Sequence, residues 1–159
     1  MQENNYSNKM IEAFIAKPEK TLWYQDAFAK FDLVDENKIT WNWSWWAFGG
    51  GFLYLLYRKA YIPSLILFIV SIFIGFIPFG GILLAILAGG FAPYFVYKDY
   101  KTKKANIENF VDDEDKRIEA MAKIGGYHQW VVWVYIAFVL LITFYIASFI
   151  SILLAATAQ

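Results

Sequence analysis

The sequence predicts an all-α integral membrane protein. Three transmembrane helices, one re-entrant or interfacial aromatic segment and a short amphipathic helical arm at the N-terminus make up the expected fold. Two observations carry this reading. No charged residue occurs from Ile39 to Tyr57, from Ala60 to Tyr97, or from Ile124 to Gln159. Apolar stretches of that length cannot all be hidden in the core of a 159-residue soluble domain, so lipid is their solvent. The second is composition: hydrophobic residues are 59% and aromatics 21% of the chain, above the globular average.

The arm, residues 1–40, contains two short helices. Met10, Ile11, Phe14 and Ile15 share one helical face. Pro18 starts a second helix, with Glu19 in its first turn opposing the helix dipole and Tyr24, Ala27, Phe28 and Phe31 as its apolar stripe. These helices are expected to pack on the membrane domain or to lie on the headgroups.

The membrane domain, residues 41–97, opens with an aromatic segment, 41–57. Trp41, Trp43, Trp45 and Trp46 stand at one end, Tyr54 and Tyr57 at the other, and Gly49-Gly50-Gly51 between them. Trp and Tyr favour the bilayer interface, and each glycine weakens a helix by about 1 kcal/mol relative to Ala. Asn42 and Ser44 are suited to capping the start of a membrane helix. A helical hairpin, 62–97, follows, turning at Ile77-Pro78-Phe79-Gly80-Gly81. Its arms, 62–77 and 80–97, are short for spans, and Pro93 is expected to kink or end the second one early. Gly81, Ala85 and Gly89 form a small-residue stripe that would let two helix backbones approach in lipid.

Residues 98–128 return to water. Lys98, Lys101, Lys103 and Lys104 are read as contacts to an anionic leaflet. The acidic run from Asp112 to Asp115, the basic end at Lys123 and Gly125-Gly126 mark a helix start and stop. Residues 129–157 form the last and longest span, with Ala147, Ser151 and Ala155 as a second packing stripe.

Lys and Arg flanking short loops mark the cytoplasmic side. Arg58-Lys59 and the Lys98–Lys104 cluster bracket the hairpin, so both are expected inside and Gln159 outside. Crossing of 41–57 would export an arm that carries lysines. The favoured reading therefore has this segment dip in and return, bending at the glycines, with Arg58 on the side of Lys38. The alternative is a fourth span with the N-terminus outside.

The run Trp41-Asn42-Trp43, Ala47-Phe48-Gly49, Leu53, Leu56-Tyr57-Arg58-Lys59 and Tyr61 resembles the signature of a bacterial family of small membrane proteins, domain-of-unknown-function family 2628. The resemblance covers about residues 12–104, and Phe14-Ile15 and Phe28-Ala29-Lys30-Phe31 fit it as well. The chain departs from the pattern at Trp45-Trp46, Gly50-Gly51 and Ala60. The resemblance implies a bacterial membrane location and the hairpin layout; it supplies no chemistry.

The absence of cysteine excludes disulfides, thiolate chemistry and Cys-based metal centres. Zero net charge gives no reason to expect a nucleic-acid partner. The acidic run lacks the alternation and central glycine of a calcium loop, the glycine triplet is not followed by the Lys-Ser/Thr of a phosphate loop, and His128 is a lone structural histidine. No catalytic residue, cofactor site or metal site is therefore expected, and the chain is read as a non-enzyme. Trp41, Trp43, Trp45, Trp46, Arg58 and Lys59 are the candidate lipid or headgroup contacts. Membrane lipids and a membrane-protein partner or a second copy are the expected partners. The functional expectation is a multi-pass inner-membrane accessory, assembly or regulatory subunit acting through helix–helix contacts; the alternative is a lipid or small-molecule binding or transport protein using the Trp-rich segment as a broken-helix gate.

Overall fold

The computed structural model describes residues 2–34 and 38–157. Among the described residues eight helices follow in order: α1 Gln2–Ile15, α2 Pro18–Asp32, α3 Trp45–Gly50, α4 Phe52–Tyr57, α5 Tyr61–Ile74, α6 Gly80–Phe110, α7 Glu114–Ile124 and α8 Gln129–Thr157. No strand occurs among the described residues. The chain divides into two compact units, Met1–His128 and Gln129–Gln159.

In the first unit the arm folds as its apolar spacing predicts. Pro18 stands in the first turn of α2, where its missing N–H costs nothing, and Glu19 follows it. The apolar faces of α1 and α2 bury Met10, Ile11, Phe14 and Ile15 together with Tyr24, Ala27, Phe28 and Phe31. Their partner is the C-terminal half of α6. Phe28 meets Tyr97 at 5.3 Å and Tyr100 at 5.2 Å between ring centres, and Phe31 meets Tyr94 at 5.6 Å. Met121 of α7 closes the same core.

This packing moves one expected boundary. α6 does not end near Pro93, nor does the chain leave the helix after Tyr97; α6 runs for 31 residues, about 46 Å, through Pro93 and all four lysines. Proline removes the N–H that would bond the carbonyl four residues back, here that of Gly89. The Ser44 N–H replaces it, donating to the Gly89 carbonyl at 2.8 Å, and the Asn42 N–H donates to the Gly90 carbonyl at 2.9 Å. Beyond Tyr97 the helix is held by α1 and α2 and by ion pairs. Lys101 bonds Asp32 at 3.0 Å, Lys103 bonds Asp99 at 2.6 Å, and Lys104 lies 3.8 Å from Glu108. Three of the lysines expected at the leaflet are thus paired with carboxylates of the same unit.

The aromatic segment breaks where its glycines allow. α3 and α4 are six residues each, separated at Gly51 with φ +50°, a conformation that suits glycine. Ser44 caps α3 as expected, its Oγ accepting from the Ala47 N–H at 3.3 Å. Asn42 does not cap; its backbone is engaged on α6. The hairpin forms, with α5 of 14 residues and a turn before Gly80.

α7 begins at the acidic run, where Asp113 accepts from the Lys116 N–H at 2.9 Å, and it stops before Gly125 as expected. The second unit is α8, 29 residues without a charged side chain. The hydroxyls of Thr143, Ser148 and Ser151 each donate to the carbonyl one turn back, at 2.9 Å. These three hydroxyls are satisfied within the helix itself. The expected outward end at Gln159 lies outside the described residues.

Candidate functional site

Two features of the first unit collect the residues singled out from the sequence. The first is a socket on α6. A Cβ on Gly90 would lie 2.2 Å from the Trp41 ring, and one on Gly89 would lie 2.9 Å from the Trp43 ring and 3.0 Å from Phe48. Both glycines are therefore needed for the aromatic rings to sit flat on the helix, where the two backbone hydrogen bonds of 41–44 hold them. Trp41 and Trp43 stack at 6.0 Å, and Trp45 meets the edge of Trp43 at 5.1 Å. The indole N–H of Trp43 is buried and has no acceptor among the described residues. Trp45 and Trp46 remain exposed, at 72% and 71%, and the Lys20 ammonium stands 5.8 Å from the Trp46 ring.

The small-residue stripe of α6 is thereby divided. Gly89 is buried against Trp43 and Phe48, Ala85 is half-buried, and a Cβ on Gly81 would meet nothing within 4 Å. Within the chain the three do not act as one helix-crossing face. Ala147, Ser151 and Ala155 of α8 are all exposed.

The second feature is a basic cluster. Arg58, expected as an exposed headgroup contact, is only 4% exposed, its guanidinium enclosed by the arm. Its Nε donates to the Tyr24 hydroxyl at 2.9 Å, its Nη1 donates to the Ile15 carbonyl at 3.1 Å, and its Cζ lies 4.5 Å from the centre of the Tyr24 ring. Tyr24 and Tyr54 share a hydroxyl–hydroxyl bond of 2.8 Å. A guanidinium loses several kcal/mol on burial unless its donors are used, and the arm supplies their acceptors. Lys59, half-buried, donates to the Gly125 carbonyl. Lys17 lies 4.7 Å from the Tyr127 ring centre and 5.8 Å from that of Tyr57. The Tyr57 hydroxyl holds the Lys17 ammonium above its usual pKa, with burial opposing it. His128 stands beside this cluster: its ring meets the Tyr61 hydroxyl at 2.7 Å and its backbone N–H donates to the Tyr57 carbonyl at 2.9 Å.

The position of Lys17 in this cluster was not legible from the chain. A left-handed Ala16, φ 51°, turns the backbone between α1 and α2, and no local pattern marks that position.

Fold and site together define a class: an all-helical protein with two helices, α6 and the one ending at Thr157, long and apolar enough to cross a membrane. α5, at 14 residues, is shorter than that. The family follows from the chain itself. Residues 14–91 match the family described as "Protein of unknown function (DUF2628)", so the resemblance carried by the Trp-Asn-Trp and Leu-Tyr-Arg-Lys runs holds from the end of α1 through α2, the aromatic segment and most of the hairpin. Neither the curated proteins nor the solved structures gave a match.

Proposed function

We propose that this protein is a multi-pass bacterial inner-membrane subunit that serves as an accessory, assembly or regulatory component through helix–helix contacts, without catalytic chemistry of its own. In this reading α5, α6 as far as Tyr97, and α8 are its three membrane helices, and 41–57 is a re-entrant segment. The observation that carries it is α8, an uncharged 29-residue helix whose Thr143, Ser148 and Ser151 hydroxyls bond its own carbonyls and whose small residues Ala147, Ser151 and Ala155 are exposed. Such a surface gains most from lipid and from another helix that can approach closely. The first unit supports the sidedness. Arg58 bonds the arm directly, and the arm packs on α6 near the lysines. No bilayer can separate groups in contact, so the arm, Arg58-Lys59 and Lys98–Lys104 share one side, which the positive-inside rule assigns to the cytoplasm.

Purification in mild detergent with identification of co-purifying proteins tests the proposal. A fixed complex or a defined oligomer supports it; a monomer that retains no protein partner overturns it. A second reading, lipid or small-molecule binding by the Trp segment, is favoured by the unpartnered Trp43 indole N–H. A quinone or lipid retained by a monomer and lost on Trp43→Phe would select it.

A further inference from the structure

We infer that Lys17, Lys59 and the buried Arg58 form a binding site for the phosphate of an anionic lipid headgroup, with Tyr57 and Tyr127 as its aromatic wall. The inference rests on the membrane reading above and gives it a ligand class. Three cations converge here from two distant parts of the chain. Arg58 and Lys17 both stand against the Tyr57 ring, at 5.4 and 5.8 Å from its centre, and the Tyr127 ring lies 5.1 Å from that of Tyr57. Lys59 borders the same place: its Nζ would lie 3.7 Å from a Cβ on Gly126, and the Cβ of Ala16, next to Lys17, would lie 3.8 Å from it.

Among the described residues one exposed carboxylate, Glu19, is paired with this cluster, 3.8 Å from Lys17 and with its side chain 62% exposed. The hydrogen bonds of Arg58 and Lys59 go to neutral oxygens of Ile15, Tyr24 and Gly125. A phosphate entering here would be attracted by three cations in a partly dry place. Ala16 at φ 51° and Lys59 at φ 59° end α1 and α4 in left-handed caps, the turns from which Lys17 and Lys59 are presented.

The source of the phosphate follows from the surroundings. The cluster lies where uncharged chain begins on both sides: Tyr57 ends the 39–57 stretch, and Tyr61 starts α5, whose Ile62, Leu65 and Ile66 are exposed. A phosphate between the lysines would leave its acyl chains beside that apolar face. Lys17 and Lys59 make the contacts, while Arg58, being buried, acts through its field and by fixing Tyr24 and the arm.

The test is reconstitution of the full chain in mixed phosphatidylcholine–phosphatidylglycerol vesicles, detergent extraction, and mass spectrometry of the lipid that stays bound. Retained lipid is expected to be enriched in phosphatidylglycerol. Lys17→Gln should lower that enrichment roughly fivefold, and Lys17→Gln with Lys59→Gln roughly twentyfold. Lys123→Gln, on an exposed pair in α7, should leave it unchanged. Because Lys59 also holds Gly125, the single Lys17 variant keeps the test valid if the double variant melts early. Equal retention of the two lipids, or enrichment unchanged by Lys17→Gln, overturns the site. Displacement by millimolar inorganic phosphate, with no lipid preference, assigns it to a soluble phosphate and overturns the lipid. Failure to incorporate into vesicles would instead refute the membrane reading.

Discussion

Gly125→Ala is the sharpest test of how the arm is held. Gly125 follows α7 and faces the last turn of α1. An added Cβ would lie 2.8 Å from both the Cα and the carbonyl oxygen of Phe14, and 2.9 Å from the Met121 carbonyl. All three are backbone atoms, so no side chain can swing aside. Ordinary van der Waals contact for a Cβ begins near 3.4 Å, so α1 and the 125–126 turn must separate by roughly half an ångström. Overpacking of this kind costs about 1–3 kcal/mol, and rigid neighbours on two sides place it at the upper end. The separation also strains the Gly126 N–H to Phe14 carbonyl bond, 2.8 Å, and the Lys59 bond to Gly125, each contributing about 1 kcal/mol. A total of about 3–4 kcal/mol lowers the melting temperature by roughly 6–15 °C for a chain of this size. The assay is thermal unfolding of detergent-purified protein, paired with limited trypsin digestion of the arm at Lys9, Lys20 and Lys30. The variant should melt early and release arm fragments faster. Gly81→Ala is the control, since nothing lies within 4 Å of its Cβ. A Gly125→Ala protein that melts with the wild type would refute the docking of α1 on this turn.

Gly89→Leu should destabilise the fold by several kcal/mol, measured as loss of the melting transition, because its side chain must displace the Trp43 ring and Phe48; unchanged stability would count against the socket. Ser44→Ala should cost about 1 kcal/mol in the same assay through loss of the α3 cap, and no shift would show that the cap is idle. The chain has no cysteine, so single cysteines introduced at Lys30 and Lys103 can be labelled cleanly in intact cells and in inverted vesicles. Both should react only from the cytoplasmic side, and labelling of the two from opposite sides would sink the shared-side topology.

Much of this protein is legible in one dimension. Uncharged stretches mark the two helices long and apolar enough to cross a membrane, α6 and the one ending at Thr157. The faces of α1 and α2, the start of α2 at Pro18, and the limits of α7 at Asp113 and Gly125 follow from helical spacing and from the hydrogen-bonding needs of helix ends. The bend in the aromatic segment follows from the poor helix propensity of its glycines. All of these are local properties, decided within a few residues. What only the tertiary structure decided is who meets whom. Pro93 reads as a helix breaker, yet α6 continues because Ser44, far away in sequence, supplies the missing donor. Gly89 reads as part of a helix-crossing stripe, yet it is a seat for Trp43. Arg58 reads as a surface topology signal, yet it is buried because Ile15 and Tyr24 offer it oxygens that no local pattern announces. Periodicity and capping record what a segment needs; the identity of the distant group that meets the need is settled only when the chain folds.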